Sequence, residues 1–356
     1  MSDNNRLKRK VLLGMSGGVD SSVAAYLLQK EGYEVIGATM KLWKPGEDNI
    51  DNAIIDAKKV ADKLGIEHHV IDFEKIFKEK VVKNFIEEYF AGKTPNPCVF
   101  CNKHIKFDRM FREAERLGCD YVATGHYAKV EYNSIKKLYE LKRSSSDKKD
   151  QTYMLYNLNQ EKLSKILFPI GNFQKDEIRK IAKEIGLEIH NKPDSQDICF
   201  IPNQDYEAFL KEYSNKIINK GNFIDVNGKI IGEHKGIVSY TIGQRKGLGI
   251  TFGKPTYVID IDGENNSIIL GDNEELFKKE LYARDVNFID YPLLVNDTRT
   301  VSAKIRYSSN PSKAVITMLN DNRIKVNFEK PQRAITHGQS VVFYDEDVLV
   351  GGGIIE

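Results

Sequence analysis

Apolar residues are spaced in two ways along this chain, and the change falls near Pro202. Before it, short apolar runs alternate with stretches in which apolar residues recur every three or four positions. Val11-Leu12-Leu13, Glu34 to Trp43, His68 to Phe73 and Tyr121 to His126 read as strands. Helices are expected over Val23 to Leu28 and over Asp51 to Leu64, where Ile54, Ala57, Val60, Ala61 and Leu64 share a face. A longer helix is expected where Phe77, Val81, Phe85 and Tyr89 repeat every four residues, and another up to Leu117 after the turn Thr94-Pro-Asn-Pro97. Gln160 to Leu167 and Gln174 to Ile185 continue the helical pattern. Gly32, Gly65, Gly92, Gly118 and Gly186 stand just past these segments, where a left-handed cap wants glycine. Strands alternating with helices predict an α/β domain with a parallel sheet covered on both faces.

Beyond Pro202 apolar and polar residues alternate singly. Asn222 to Val226 and Lys229 to Ile231 flank Asn227-Gly228, a hairpin signal, and Thr256 to Asp260 and Ser267 to Leu270 flank Gly263 to Asn266. Val301, Ala303 and Ile305 alternate with Ser302, Lys304 and Arg306; Ile324, Val326 and Phe328 alternate with Arg323, Lys325 and Asn327. Such half-buried antiparallel strands predict a small barrel. Three domains follow: 1–205 α/β, 206–278 small and mostly β, and 279–356 a C-terminal β-barrel.

Composition narrows the class. The 356 residues, 41% hydrophobic and 29% charged, suit a globular protein of two or three domains, and no apolar run reaches the eighteen or so residues of a membrane span. With no apolar leader at the start, the expected location is the cytoplasm, with no membrane partner. A net charge of +2 permits local basic patches without announcing a nucleic-acid binder. Four cysteines in a reducing compartment point to chemistry or metal where they cluster.

The first strand runs into Gly14 to Ser22, Gly-Met-Ser-Gly-Gly-Val-Asp-Ser-Ser, and then a helix. This order aims backbone N–H groups and the positive end of a helix dipole at one spot, with the hydroxyls of Ser16, Ser21 and Ser22 beside it. The spot suits phosphate. No Lys-Ser/Thr follows the last glycine, so the Walker pattern fails. Ser-Gly-Gly-Val-Asp-Ser-Ser resembles instead the PP-loop of enzymes that split ATP between its α- and β-phosphates. Ligands of parallel sheets sit beyond the strand C-termini, where Ser16 to Ser22, Met40 and Gly125-His126 fall. Lys142 to Gln151 is polar, basic and aperiodic, a loop that serves either as a solvated linker or as a phosphate contact.

Cys98 and Cys101 form a C-x2-C at a helix start with Lys103 nearby, which predicts lowered thiol pKa values. Cys199 lies far off in Asp194-Ser-Gln-Asp-Ile-Cys-Phe-Ile-Pro202, and Cys119, at a strand start, reads as a small buried side chain. The spacing does not favour a four-cysteine zinc site.

Taken in order, Gly-Met-Ser-Gly-Gly-Val-Asp-Ser-Ser, Thr-Pro-Asn-Pro-Cys-x-x-Cys-Asn-x-x-Ile-Lys-Phe, Ala-Thr-Gly-His-Tyr, Lys-Asp-Gln-Thr-Tyr, Asp-Ser-Gln-Asp-Ile-Cys-Phe and Tyr-Thr-Ile-Gly-Gln-Arg-Lys-Gly-Leu-Gly resemble the bacterial tRNA-uridine 2-sulfurtransferase family from Val11 to the last strands. The resemblance implies 2-thiolation of the wobble uridine in tRNAs for lysine, glutamate and glutamine. Gly14, Met15, Ser16, Gly17, Gly18, Val19, Asp20, Ser21, Met40 and Gly125 would bind ATP with Mg2+ on its phosphates. The uracil O2 would attack the α-phosphate; Cys199 would carry a persulfide received from a cysteine desulfurase or sulfur-relay carrier, and Cys101 would attack or reduce it, the pair ending as a disulfide. Asn96, Pro97 and Cys98 would lie beside the target base, and His126, Lys149, Asp150, Gln151, Arg306, Tyr307 and Gln339 would meet tRNA. At Cys98 many members carry Asp. Two readings of that departure stand open: Cys98, Cys101 and Cys199 as ligands of a 4Fe–4S cluster, or Cys98 as a third redox thiol or passive substitution beside the disulfide relay. The competing classes are an ATP-dependent amide ligase or amidotransferase of the same fold, and a tRNA-binding module whose loop is only structural.

Overall fold

The computed structural model describes residues 8–46, 52–192, 198–250 and 253–356. The chain forms two compact units, one of residues up to Lys80, Cys98–Phe200 and Asp347–Leu349, the other of Val81–Pro97, Ile201–Glu346 and Val350–Glu356.

In the first unit β1 (Lys10–Gly14), α1 (Val19–Lys30), β2 (Glu34–Lys41), α2 (Asn52–Leu64), β3 (Glu67–Asp72), β4 (Tyr121–Thr124) and, after a hairpin of β5 (Ala128–Asn133) and β6 (Leu138–Arg143), β7 (Ile166–Leu167) build the α/β layer structure. The sheet runs β3-β2-β1-β4-β7 with every pair parallel, Leu12 lying between Ile36 and Val122. Val11, Leu12 and Leu13 are all fully buried because both faces of β1 are covered. Val11 and Leu13 pack with Val23, Ala24 and Leu28 of α1 and with Ile178 and Ala182 of the helix Lys175–Glu184. Leu12, Ile36 and Val122 pack on the other face against Met110 and Ala114, with half-buried Cys119 at the edge of that layer. Gly32, Gly65, Gly118 and Gly186 take positive φ, closing their helices as the spacing predicts.

Two expected helices are interrupted. The segment from Glu74 to Phe90 passes through a π turn at Lys78–Val82, and that from Pro97 to Arg116 through one at Asn102–Phe107. A strict four-residue repeat walks around an α-helix of 3.6 residues per turn, and a turn that closes on the fifth residue takes up the drift. Phe77, Val81 and Phe85 all remain buried as a result. The β5–β6 hairpin is absent from the sequence reading: charged residues dilute its alternation, and its turn lacks an Asn-Gly signal. Val348 and Leu349 pair with β6 in this unit.

The second unit holds two β structures. A four-stranded sheet has the order β10-β11-β8-β9, from β8 (Gly221–Asp225), β9 (Ile230–His234), β10 (Tyr257–Asp262) and β11 (Ser267–Gly271). Six strands then close into a barrel: β12 (Phe277–Phe288), β13 (Thr298–Lys304), β14 (Ser312–Met318), β15 (Ile324–Arg333), β16 (Ser340–Asp345) and β17 (Val348–Ile355). One long strand makes the closure, since β12 pairs with β15 up to Ala283 and with β17 from Ala283 to Phe288. The alternating residues Val301 and Ala303, and Ile324, Val326 and Phe328, fill the barrel. Residues 81–97 group with this unit because their aromatic face is buried in it: Tyr89 stacks on Tyr206 at 5.1 Å and Phe85 meets Phe209 edge-on at 6.1 Å. Burying two such side chains stabilises the join by about 3–6 kcal/mol before ordering costs. Among the described residues no helix is long and apolar enough to cross a membrane.

Candidate active site

Gly14, Met15, Ser16, Gly17 and Gly18 form the turn from β1 to α1, and Val19, Asp20 and Ser21 its first helical turn. No side chain caps α1, so its leading N–H groups point out of the helix N-terminus. Hydroxyls hold the turn from inside: Ser16 N donates to Ser21 Oγ (3.2 Å), and Ser21 and Ser22 Oγ donate to the Gly18 carbonyl (3.2 and 2.9 Å). Close packing fixes the glycines. Gly17 has φ +67°, and a Cβ there would meet the Ala53 carbonyl of α2 at 2.5 Å. A Cβ on Gly125 would lie 2.8 Å from Ser21 N, so the end of β4 lies directly against the first turn of α1. Met40 ends β2 on the same edge of the sheet. The expected nucleotide residues therefore converge at the C-terminal ends of β1, β2 and β4, in a cradle whose exposed donors suit the phosphates of ATP.

Four supports of this loop escaped the sequence reading. Lys175 Nζ donates to both carboxylate oxygens of Asp20 (2.9 and 2.8 Å), and Tyr127 Oη donates to Asp20 Oδ1 (2.7 Å). Lys192 Nζ bridges Asp56 Oδ2 (2.7 Å) and the Gly17 carbonyl (3.1 Å). Thr39 Oγ1 donates to the Met15 carbonyl (2.9 Å) and so accepts from His68 Nε2 (2.8 Å), which sets the His68 tautomer. Burial, aided by the Lys58 charge, lowers the His68 pKa and keeps that ring neutral. Lys175 carried a signal: a lysine in the first turn of a helix opposes the dipole and needs a local reason. The rest have partners so distant in sequence that no local signal marks them.

The three candidate thiols belong to the same unit. Cys98 and Cys199 are exposed and Cys101 is buried, and all are thiols. The Cys101 thiol is pushed up to about 12, chiefly by burial, with smaller upward contributions from the charges of Cys199 and Cys98. Desolvation likewise raises Cys98, and raises Cys199, where the Cys98 charge adds to the effect. The Cys98 charge bears on both Cys101 and Cys199, and the Cys199 charge on Cys101, so the three share one neighbourhood. The expectation of lowered pKa values fails here. The helix Pro97–Cys101 is only five residues long with Cys101 at its end, Lys103 is exposed, and desolvation outweighs what remains of the dipole. Lys106 is the cation that opposes the upward shift at all three thiols. Among the described residues no group of three or more His, Cys, Asp or Glu side chains converges to hold a metal ion. Residues 193–197, which carry the whole of Asp194-Ser-Gln-Asp197, lie outside the described residues.

The residues expected to meet tRNA are placed as follows. His126 is buried, its Nδ1 bonded to Thr124 Oγ1 (2.7 Å) and its ring flanked by Phe107 and Phe168; burial, with Lys106 second, lowers its pKa well below the usual value and keeps it neutral. Asp150 is buried and orders the 144–152 loop, accepting from Ser144 N (3.1 Å) and Thr152 Oγ1 (2.7 Å). Gln151 accepts from Tyr127 N (3.0 Å), while Lys149 is half-exposed on this loop. In the second unit Arg306 Nη2 donates to the Arg333 and Ala334 carbonyls (2.6 and 2.9 Å), and Tyr307 is exposed with Lys304 Nζ 5.8 Å over its ring. Gln339 Nε2 donates to the Thr94 carbonyl (2.9 Å), and Thr94 N to the His337 carbonyl (2.8 Å), which fixes the approach to Asn96 and Pro97.

Comparison with known proteins places this geometry in a family. Residues 9–203 match the family model described as tRNA methyl transferase HUP domain, residues 207–272 the tRNA methyl transferase PRC-barrel domain, and residues 278–355 the aminomethyltransferase beta-barrel domain. The chain is 58% identical over 358 aligned positions to the tRNA-specific 2-thiouridylase MnmA of Clostridioides difficile (strain 630), covering 98% of this chain and 99% of that protein. It is 52% identical to the corresponding protein of Acetivibrio thermocellus, again over 98% of this chain and 99% of the relative. Among solved structures it is similar to a U34-tRNA thiolase NcsA from Methanococcus maripaludis with its 4Fe–4S cluster, at 24% identity and a TM-score of 0.35, over 60% of this chain and 66% of that one. A chain matched by these three family models in succession, and end to end by relatives at these identities, belongs to the tRNA-specific 2-thiouridylase family of sulfurtransferases.

Proposed function

We propose that this enzyme thiolates C2 of the wobble uridine in tRNAs for lysine, glutamate and glutamine by adenylation followed by transfer of sulfur from a persulfide. The observation that carries the reading is the occurrence, within one unit, of an uncapped phosphate loop and of two thiols, Cys101 and Cys199, close enough for the Cys199 charge to raise the Cys101 pKa. Gly14 to Ser21, Met40 and Gly125 hold ATP, and Mg2+ accompanies its phosphates and helps neutralise them. The leading N–H groups of α1 retain the leaving pyrophosphate, and the uracil O2, attached to AMP, becomes a good leaving group. Exposed Cys199 receives the sulfur as a persulfide from a desulfurase or carrier protein; buried Cys101 attacks it. Lys149 and Tyr307 meet the RNA, as phosphate contact and stacking ring, and Asn96 to Cys98 border the target base. The reaction belongs in the cytoplasm, where tRNA and the donor are found.

An amide ligase of the same fold needs neither thiol. In a single-turnover assay with ATP and tRNA, Cys199→Ser is expected to keep pyrophosphate release and lose 2-thiouridine formation. Full thiolation by that variant would remove the persulfide reading.

A further inference from the structure

In the second unit, His337 and Gln339 grip one residue of a distant segment by its backbone. Thr94 N donates to the His337 carbonyl (2.8 Å) and Gln339 Nε2 donates to the Thr94 carbonyl (2.9 Å), so both backbone polar groups of Thr94 are taken by a single turn. A carbonyl can only accept, which settles that the amide nitrogen of Gln339, and not its oxygen, faces Thr94. Between the two, Gly338 has φ +87°, and a Cβ there would lie 3.1 Å from Lys93 Cβ and 3.2 Å from Thr94 N. The turn therefore lies flat on Lys93 and Thr94. It is itself tied to β17, since Gly338 N donates to the Ile355 carbonyl (2.9 Å) and Ile355 N to the Gln339 carbonyl (2.8 Å). At the end of β10 a Cβ on Gly263 would come within 2.5 Å of the Ala91 carbonyl oxygen, and His337 lies 3.4 Å from Asp260 of that strand. All of these residues belong to the second unit, as do Asn96 and Pro97.

What the turn holds is the lead into Thr94-Pro95-Asn96-Pro97. Pro95 and Pro97 are buried, with φ fixed by their rings, so a displacement of Thr94 is passed on to Asn96 with little slack. A side chain that holds Thr94 sets where Asn96 stands. We infer that Gln339 is a positioning residue for the target uridine: it acts through Thr94 on Asn96 and Pro97, and not by touching RNA. The inference rests on the reading of Asn96 and Pro97 as a border of the target base, and deepens it. It gives the barrel a part in adenylation besides holding tRNA, because the uracil O2 must be placed before it can attack. Misplacement of a reacting atom costs rate, while affinity, spread over many backbone contacts to the RNA, is kept.

The test is tRNA-dependent pyrophosphate release by the full-length protein with Mg2+, ATP and unmodified glutamate tRNA, a reaction that needs no sulfur donor. Gln339→Met keeps the length of the side chain without its donor, and Gln339→Lys restores a donor. At saturating tRNA, Gln339→Met should release pyrophosphate about tenfold more slowly than the native chain with its Kd for tRNA within about twofold, and Gln339→Lys should recover most of the rate. A raised Kd with a native rate at saturation would make Gln339 an RNA contact and overturn the inference, as would equal losses of rate in both variants. Asn96→Ala, measured alongside, separates the two levels. A native rate in Asn96→Ala removes the reading of the target-base border, and the inference with it. A slow Asn96→Ala beside a native Gln339→Met leaves that reading standing and overturns the positioning role alone. Hydrogen exchange of the free proteins is independent of turnover: the peptide containing Lys93 and Thr94 should exchange several-fold faster in Gln339→Met, while β13 and β14 keep native protection. Unchanged exchange in that peptide, or protection lost throughout the barrel, counts against the inference.

Discussion

The phosphate loop and the cysteine group belong to the same unit but were built by opposite means. The loop is local: its glycines, its hydroxyl bonds from Ser21 and Ser22 to Gly18, and its helix dipole come from nine consecutive residues, Gly14 to Ser22. The thiols come from Cys98, Cys101 and Cys199, and their electrostatics are set first by burial and then by neighbouring charges. The loop suits an anion because no side chain caps the helix that follows it. The cysteines work against desolvation, with pKa values pushed up, so their sulfur chemistry depends on the rest of the fold. In physical terms, binding of the nucleotide is preorganised by backbone, and reactivity at sulfur is regulated by environment.

The largest expected effect lies on the loop side. Gly125→Val puts side-chain atoms where even a Cβ comes within 2.8 Å of Ser21 N, so pyrophosphate release should fall to background although the protein still folds. Lys175→Ala leaves Asp20 with Tyr127 as its remaining partner among the described residues and should slow pyrophosphate release about a hundredfold. Equal activity in either variant would dissolve the contrast, since the loop would then tolerate loss of the contacts that shape it.

A smaller effect is expected at the RNA surface. Lys149→Ala should weaken tRNA binding at low salt and reduce the slope of log affinity against log salt by about one. Binding that stays unaffected across salt concentrations would move the RNA contact away from the 144–152 loop.

The smallest effect concerns a joint between the two β structures of the second unit. His337 lies 3.4 Å from Asp260, and the hydrogen bond to that carboxylate raises its pKa above the usual 6.5. A raised histidine contributes stability that is fully present below about pH 6.5 and is lost as pH rises through the folded value. Both groups retain about a third of their surface in solvent, so screening leaves little: the melting temperature of the native chain should exceed that of His337→Gln by about 1–2 °C at pH 6 and match it near pH 8.5. A difference that grew with pH would reverse the assignment of charge.

The contrast between the two regions also explains what could be read from sequence. The parallel sheet, the five capping glycines of positive φ and the barrel strands were legible because each rests on residues near one another in the chain. The phosphate cradle was legible for the same reason, down to Gly125, whose absent Cβ makes room for α1. Cys101 and Cys199 could be joined only through resemblance to a family, since nothing local at either residue points to the other. The expected low thiol pKa values failed because a helix-dipole argument sees the turn around Cys101 and not the protein packed over it. Lys175, Tyr127, Lys192 and Thr39 were missed because each reaches the loop from a separate element of the fold. The π turn at Asn102–Phe107 was missed too, since no local residue pattern marks a turn that closes on the fifth residue.

The central claim is that sulfur passes through Cys199 with Cys101 as its partner. Its most direct test is a single turnover with sulfur-loaded protein, ATP and tRNA, quenched in acid and alkylated without reductant, with 2-thiouridine counted alongside the Cys101–Cys199 disulfide peptide. The account predicts equal amounts of the two products, rising together in time. Thiouridine formed while both cysteines remain alkylatable would contradict it.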